Sequence, residues 1–220
     1  MSTALRIAIP IFPRVDLIDV AAPVDVFSRI SEFWKERDVD VRVVAATLDP
    51  IVTGQSLPIT PTATFADYTS APPDVLLVPG AYDTSGATGD PNFMSWVTAM
   101  GERAPFVTSV CTGAIILGKA GLLNGYRATT HWAGLPTLSD IKGVLVVNGY
   151  PRWVHDRNRI TGGGVSSSLD TAIYIVSILT NDDVAKCVQL LVQYNPHPPF
   201  DTGDPAVADP DTYLRVQYGA

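Results

Sequence analysis

Residues 106–121 read FVTSVCTGAIILGKAG, and this stretch decides the fold. Residues 106–110 are β-branched and apolar enough for a buried strand. Residues 112–120 form a compact apolar segment, and Gly121 suits the left-handed position that closes a helix. Cys111 stands at the junction. A strand that turns straight into a helix leaves the turning residue strained and projecting, which is a nucleophile elbow, and the residues two before and two after it must be small. Here they are Ser109 and Gly113. Backbone N–H groups and the positive end of the helix would lower the thiol pKa, making Cys111 the reactive thiol and Cys187 an inert one. A buried structural cysteine is the competing reading, because free cysteines behave as small hydrophobes and are commonly buried.

Outward from the elbow, apolar runs at residues 5–12 (LRIAIPIF) and 39–46 (VDVRVVAA) read as covered strands, with helical spacing from Pro23 to Trp34 between them. Pro23 suits the first helical position. Residues 51–68 suggest a hairpin excursion, 74–78 (DVLLV) a further strand, and 91–101 a helix. After the elbow, short strands are expected at 127–131 and 144–147, a hairpin at 153–161 turning at Arg157-Asn158, and helices at 165–179 and 183–194. Alternating strands and helices imply an α/β fold, with a mostly parallel sheet covered on both faces. Residues 1–194 form the expected catalytic domain, and 195–220 an irregular tail packed on that domain or on a partner subunit.

The 220 residues are 46% hydrophobic and 17% charged, which fits one well-cored globular domain. A net charge of -7 gives no footprint for a phosphate backbone, so no nucleic-acid partner is expected. The first residues lack the basic and apolar regions of a signal peptide, and the apolar stretches are too short to span a bilayer. Two cysteines make no disulfide framework; a reducing cytoplasm and no membrane association are the expectation.

Ligand sites in such sheets lie beyond the carboxyl ends of the strands. Asp19, in the loop expected before the Pro23 helix, could shuttle a proton to a thiol, its pKa raised by burial near an anion. It could equally stabilise a helix N-terminus. Asp16 and Asp25 compete, Asp25 being the more solvated. Gly80 and its neighbour Ala81 could offer N–H groups to an oxyanion alongside Thr112, or form an ordinary strand-ending turn. Thr112 could simply bond backbone. His131 could pair with the thiol, but nothing local orients it, and the structural reading is preferred. Gly162-Gly163-Gly164 lacks phosphate-loop spacing and reads as close packing on the elbow. No histidine spacing fits a metal, and none is expected.

Val110-Cys111-Thr112-Gly113, Ala120-Gly121-Leu122-Leu123-Asn124-Gly125, Ala128-Thr129-Thr130-His131-Trp132 and Thr161-Gly162-Gly163-Gly164 resemble the DJ-1/PfpI superfamily over about residues 5–200. That resemblance implies a flavodoxin-like three-layer α/β/α sandwich with a cysteine elbow, a homodimer, and no cofactor. Phe12-Pro13 followed by Asp19 and Pro23, Cys111-Thr112, and residues 193–200 (QYNPHPPF) are most similar to the isocyanide hydratases. Those enzymes add water to R–N≡C to give the N-substituted formamide. By this resemblance Cys111 matches the nucleophile, Asp19 the carboxylic acid and Thr112 the residue beside the thiol, with a covalent thioimidate between them and the product.

The departures weigh against other activities. Peptidase-like members carry His where this chain has Thr112, and many DJ-1-like and glyoxalase-like members carry Glu where it has Asp19. Ala81 replaces a glycine common after the third strand. AraC-type regulators share the elbow and the Ala-Thr-Thr-His-Trp motif but carry a further helix-turn-helix domain, for which no room is expected after Tyr194. The alternatives are a DJ-1-like hydrolase or glyoxalase acting on small carbonyl compounds, and a non-enzymatic ligand or oxidation sensor.

Overall fold

The computed structural model describes residues 4–218. Residues 1–3, the start of the segment read as leader-free, and the last two residues of the tail lie outside the described residues. The chain runs β1 (Leu5–Pro10), α1 (Leu17–Ser28), the single turn α2 (Ile30–Phe33), β2 (Val39–Ala45), the ribbon β3 (Ile51–Val52) and β4 (Pro58–Ile59), then β5 (Ala63–Thr64). It continues through β6 (Val75–Val78), α3 (Ser85–Thr88), α4 (Pro91–Arg103), β7 (Phe106–Ser109) and α5 (Gly113–Lys119). The last part adds β8 (Arg127–Ala128), α6 (Leu135–Ser139), β9 (Leu145–Val146), the hairpin β10 (Trp153–Asp156) and β11 (Arg159–Gly162), α7 (Ser167–Leu179), α8 (Asp182–Leu191) and α9 (Pro210–Tyr218).

Seven strands make the central sheet in the order β10-β11-β7-β6-β1-β2-β5, parallel throughout except for the β10–β11 hairpin. Helices α1, α7 and α8 pack on one another, while α3, α4, α5 and α6 form a second connected layer. This is the flavodoxin-like α/β/α sandwich. β6 is buried along its whole length and β1 at all but Arg6, as strands covered on both faces must be. The chain order reverses between β1 and β6, so the ligand-binding crevice of such a sheet falls there. Registers Val78↔Ser109 and Ser109↔Thr161 bring the ends of β6 and β7 beside the last two residues of β11, Thr161 and Gly162.

Three sequence expectations shift. α1 opens at Leu17, with Asp16 as its N-cap accepting from Ile18 N–H at 3.1 Å, and Pro23 lies inside it. Proline there removes the helix bond to the Asp19 carbonyl, and the Pro23 ring is buried. The strand expected at 127–131 stops at Ala128, after which His131 caps a short 3-10 turn. The tail is irregular only to residue 209; α9 follows, and Tyr213 lies against Trp132 with ring centroids 4.7 Å apart. Among the described residues no helix is long and apolar enough to cross a membrane.

Candidate active site

The elbow has the strain the sequence pattern requires. Cys111 has φ 53°, a left-handed conformation that a non-glycine residue holds only where its surroundings enforce it. Its N–H donates to Gly163 carbonyl at 2.8 Å, and its own carbonyl accepts from the Thr130 hydroxyl at 2.8 Å. A Cβ on Gly113 would lie 2.1 Å from the Val78 carbonyl oxygen, so only glycine fits. The obstacle is therefore β6, not Ser109 on the elbow's own strand as the elbow pattern suggests.

Gly80 ties the site together. Its carbonyl accepts from Asp16 N–H at 2.9 Å and its N–H donates to Asp19 Oδ2 at 3.0 Å. A Cβ there would stand 2.6 Å from both Thr112 N and Thr112 Oγ1 and 3.0 Å from Cys111 Cβ. Asp19 is fully buried in the first turn of α1, not in a preceding loop, and Asp16 does the capping. Ser168, at the start of α7, donates to Asp19 Oδ1 at 3.0 Å, and the Cys111 thiol is the third hydrogen-bonding partner of this carboxyl. Burial, followed by the charge of Asp16, raises the Asp19 pKa to about 7, against the opposing pull of the Gly80, Ser168 and Cys111 bonds.

The thiol shifts opposite to the elbow expectation. Burial raises the Cys111 pKa, and the neighbouring Asp19 raises it further; the N–H groups of Thr112 and Val165 pull the other way and lose. α5 is only seven residues long, and its N-terminal field does not offset desolvation. The resting pair is a neutral thiol beside a carboxyl poised near neutrality.

The proposed oxyanion donors are already engaged. Gly80 N–H serves Asp19, and Ala81 N–H donates to Thr112 Oγ1 at 2.9 Å, while the Thr112 hydroxyl donates to Ala81 carbonyl at 2.6 Å. Thr112 thus braces the 79–82 loop against the elbow. His131 makes no pair with the thiol: its Nδ1 accepts from Ala133 N–H at 3.2 Å, burial lowers its pKa, and a Cβ on Gly164 would strike its ring at 2.4 Å. Gly162 and Gly163 pack closely too, Gly162 against Thr171 and Val110. Among the described residues no group of His, Cys, Asp and Glu could hold a metal ion.

Sequence reasoning missed Ser168 and Gln55. Gln55, in the β3–β4 turn, donates to Asp16 Oδ2 at 3.0 Å and accepts from Leu17 N–H at 2.9 Å, pinning the start of α1. The Ser166-Ser167-Ser168 run in the first turn of α7 was the available signal for a hydroxyl at the site.

Residues 5–178 match the DJ-1/PfpI family. The chain belongs to that family. It is 39% identical over 208 residues to an isonitrile hydratase from Pseudomonas putida, a match covering 93% of this chain and 85% of that protein. A crystal structure of a ThiJ/PfpI family protein from Pseudomonas syringae has TM-score 0.89 and 34% identity, covering 97% of this chain and 85% of that one. DJ-1beta of Drosophila melanogaster has TM-score 0.77 at 18% identity, covering 88% of this chain and all of that one, and shares the DJ-1/PfpI fold.

Proposed function

We propose that the protein is an isocyanide hydratase, converting R–N≡C and water to R–NH–CHO through a covalent adduct on Cys111. The observation that carries this reading is the buried Asp19 carboxyl held against a protonated thiol. The similarity to an isonitrile hydratase supports it. An isocyanide has no leaving group, so attack by sulfur must be accompanied by proton delivery to the same carbon. As the C–S bond forms, the Asp19 carboxylate takes the thiol proton and passes it to the isocyanide carbon, giving the thioimidate R–N=CH–S–Cys111. Asp19 then takes a proton from water as the water oxygen adds to that carbon and hands the same proton to the nitrogen, which regenerates the carboxylate. The adduct R–NH–CH(OH)–S–Cys111 collapses as its C–S bond breaks and the hydroxyl proton returns to sulfur.

Gly80 and Ser168 hold the two carboxyl oxygens, and Thr112 and Val165 present N–H groups to the sulfur. In this reading residues 1–194 carry the chemistry and the tail that follows packs on that domain, with Pro196 to Pro205 beside the approach to the site. The enzyme works without a cofactor as a cytoplasmic homodimer, and the two free cysteines suit a reducing compartment.

The test is formamide production from aliphatic and aromatic isocyanides, with intact-protein mass spectrometry during turnover. Wild type produces formamide, Cys111→Ala is inactive, and Asp19→Asn folds but loses roughly 10²- to 10⁴-fold in rate. A slowed variant accumulates protein heavier by the whole isocyanide. Turnover of methylglyoxal with none of any isocyanide would replace this reading with the carbonyl-acting one.

A further inference from the structure

A cavity of about 940 Å³ opens beside the elbow. Thr130, Gly163 and Val165 lie in its wall, and each of them also contacts Cys111, by hydrogen bonds to its carbonyl, N–H and sulfur respectively. Ile18, next to Asp19 in the chain, lines it as well. The volume is that of a site for a drug-sized molecule, far beyond what an N≡C group needs.

The outer walls are aromatic and proline-rich: Trp132, Tyr150 and Tyr194 line them together with Pro196, Pro198 and Phe200 of the tail. Two large apolar side chains there are uncovered, Ile18 at 48% exposure and Phe200 at 75%, and Pro196 and Pro198 are exposed beside them. The tail is held beside this wall, because Tyr194, immediately before it, donates to Asp170 at 3.0 Å and Tyr213 within it packs on Trp132.

The charges of the wall are one-sided. Arg152 is its only Lys or Arg, and it is bonded to Asp170 and Ser166. Asp201 and Asp204 also line the cavity and have no ion pair among the described residues. An anionic ligand would meet these carboxylates without a free cation to offset them.

We propose that this cavity is the subsite for the substrate's R group, and that it selects a bulky, aromatic, non-anionic substituent. The inference rests on the hydratase reading. An aromatic R group stacks between Trp132 and the tail and covers Phe200 and Ile18, while its isocyanide carbon reaches past Val165 to Cys111.

The experiment compares kcat/KM of the full chain for methyl, benzyl and 2-naphthylmethyl isocyanide, and for isocyanoacetate against its methyl ester. The aryl compounds exceed methyl isocyanide by about tenfold or more, chiefly through KM, and the ester exceeds the free acid by a similar factor. Phe200→Ala narrows the aryl-to-methyl ratio, and Asp201→Asn with Asp204→Asn narrows the ester-to-acid ratio. Ratios near one in wild type, or ratios unmoved in these variants, overturn the subsite while leaving the hydratase reading intact. Absence of formamide from every isocyanide overturns the hydratase reading, and the subsite with it.

Discussion

The two cysteines occupy opposite environments. Cys187 is exposed on α8, a helix whose outer face is solvated. Cys111 is buried at a strained turn, with its backbone bonded to Gly163 and Thr130 and its thiol against Asp19. The elbow pattern alone suggests that Cys111 is the more acidic thiol, but burial and the carboxyl raise its pKa. Reactivity at Cys111 is therefore conditional: a reagent that needs only a thiolate meets resistance, and one that accepts a proton together with the sulfur is served by Asp19.

The largest contrast is steric. Gly113→Val drives a branched side chain into the Val78 carbonyl and destabilises the protein by about 4 kcal/mol, a fall in melting temperature of roughly 8 to 16 °C. Cys187→Ala changes stability by no more than about 0.5 kcal/mol, as surface substitutions do. Thermal melts of the two variants measure the difference, and an unperturbed Gly113→Val would disprove the strand-cysteine-helix geometry.

Asp19 gives a smaller effect of opposite sign. Its pKa is raised from 3.8 to about 7 in the folded protein, so the unfolded chain releases the proton first as pH rises. Ionisation of Asp19 therefore opposes folding increasingly between about pH 4 and pH 7, and by a constant amount above. Asparagine keeps an acceptor for Gly80 N–H, and its amide NH₂ donates to the Ser168 hydroxyl, which turns from donor to acceptor, without that cost. At pH 8 Asp19→Asn is more stable than wild type by about 2 kcal/mol, and the gain disappears near pH 4. Equal melting temperatures at pH 8 would mean that the carboxyl is not desolvated as described.

Much of this was legible in the sequence, for local reasons. The elbow follows from Ser109, Cys111 and Gly113, and the β10–β11 hairpin turns at Arg157-Asn158, between strands that pair Asp156 with Arg159. The start of α1 was hidden because Pro23 mimics a first-turn proline, which moves the expected boundary past Leu17 and Ile18. Ser168 lies 149 residues from Asp19, and no local pattern encodes such a contact. The direction of the thiol pKa was missed for a related reason: desolvation is set by packing, and a motif reports donors without reporting how much water has been excluded.

Alkylation sharpens the contrast between the cysteines at the smallest scale, about tenfold in rate. Iodoacetamide at pH 8 labels Cys187 at least about tenfold faster than Cys111, as peptide mapping of a time course reads directly. Faster labelling of Cys111 would restore the acidic-elbow expectation.

The central claim is that a neutral thiol and an ionised Asp19 form the working pair, and the pH dependence of kcat/KM for isocyanide hydration tests it most directly. With Asp19 titrating near 7, the rate rises tenfold per pH unit below that value and levels off above it. A rate that instead climbs steadily from pH 7 to 9, following thiolate formation, would contradict the account.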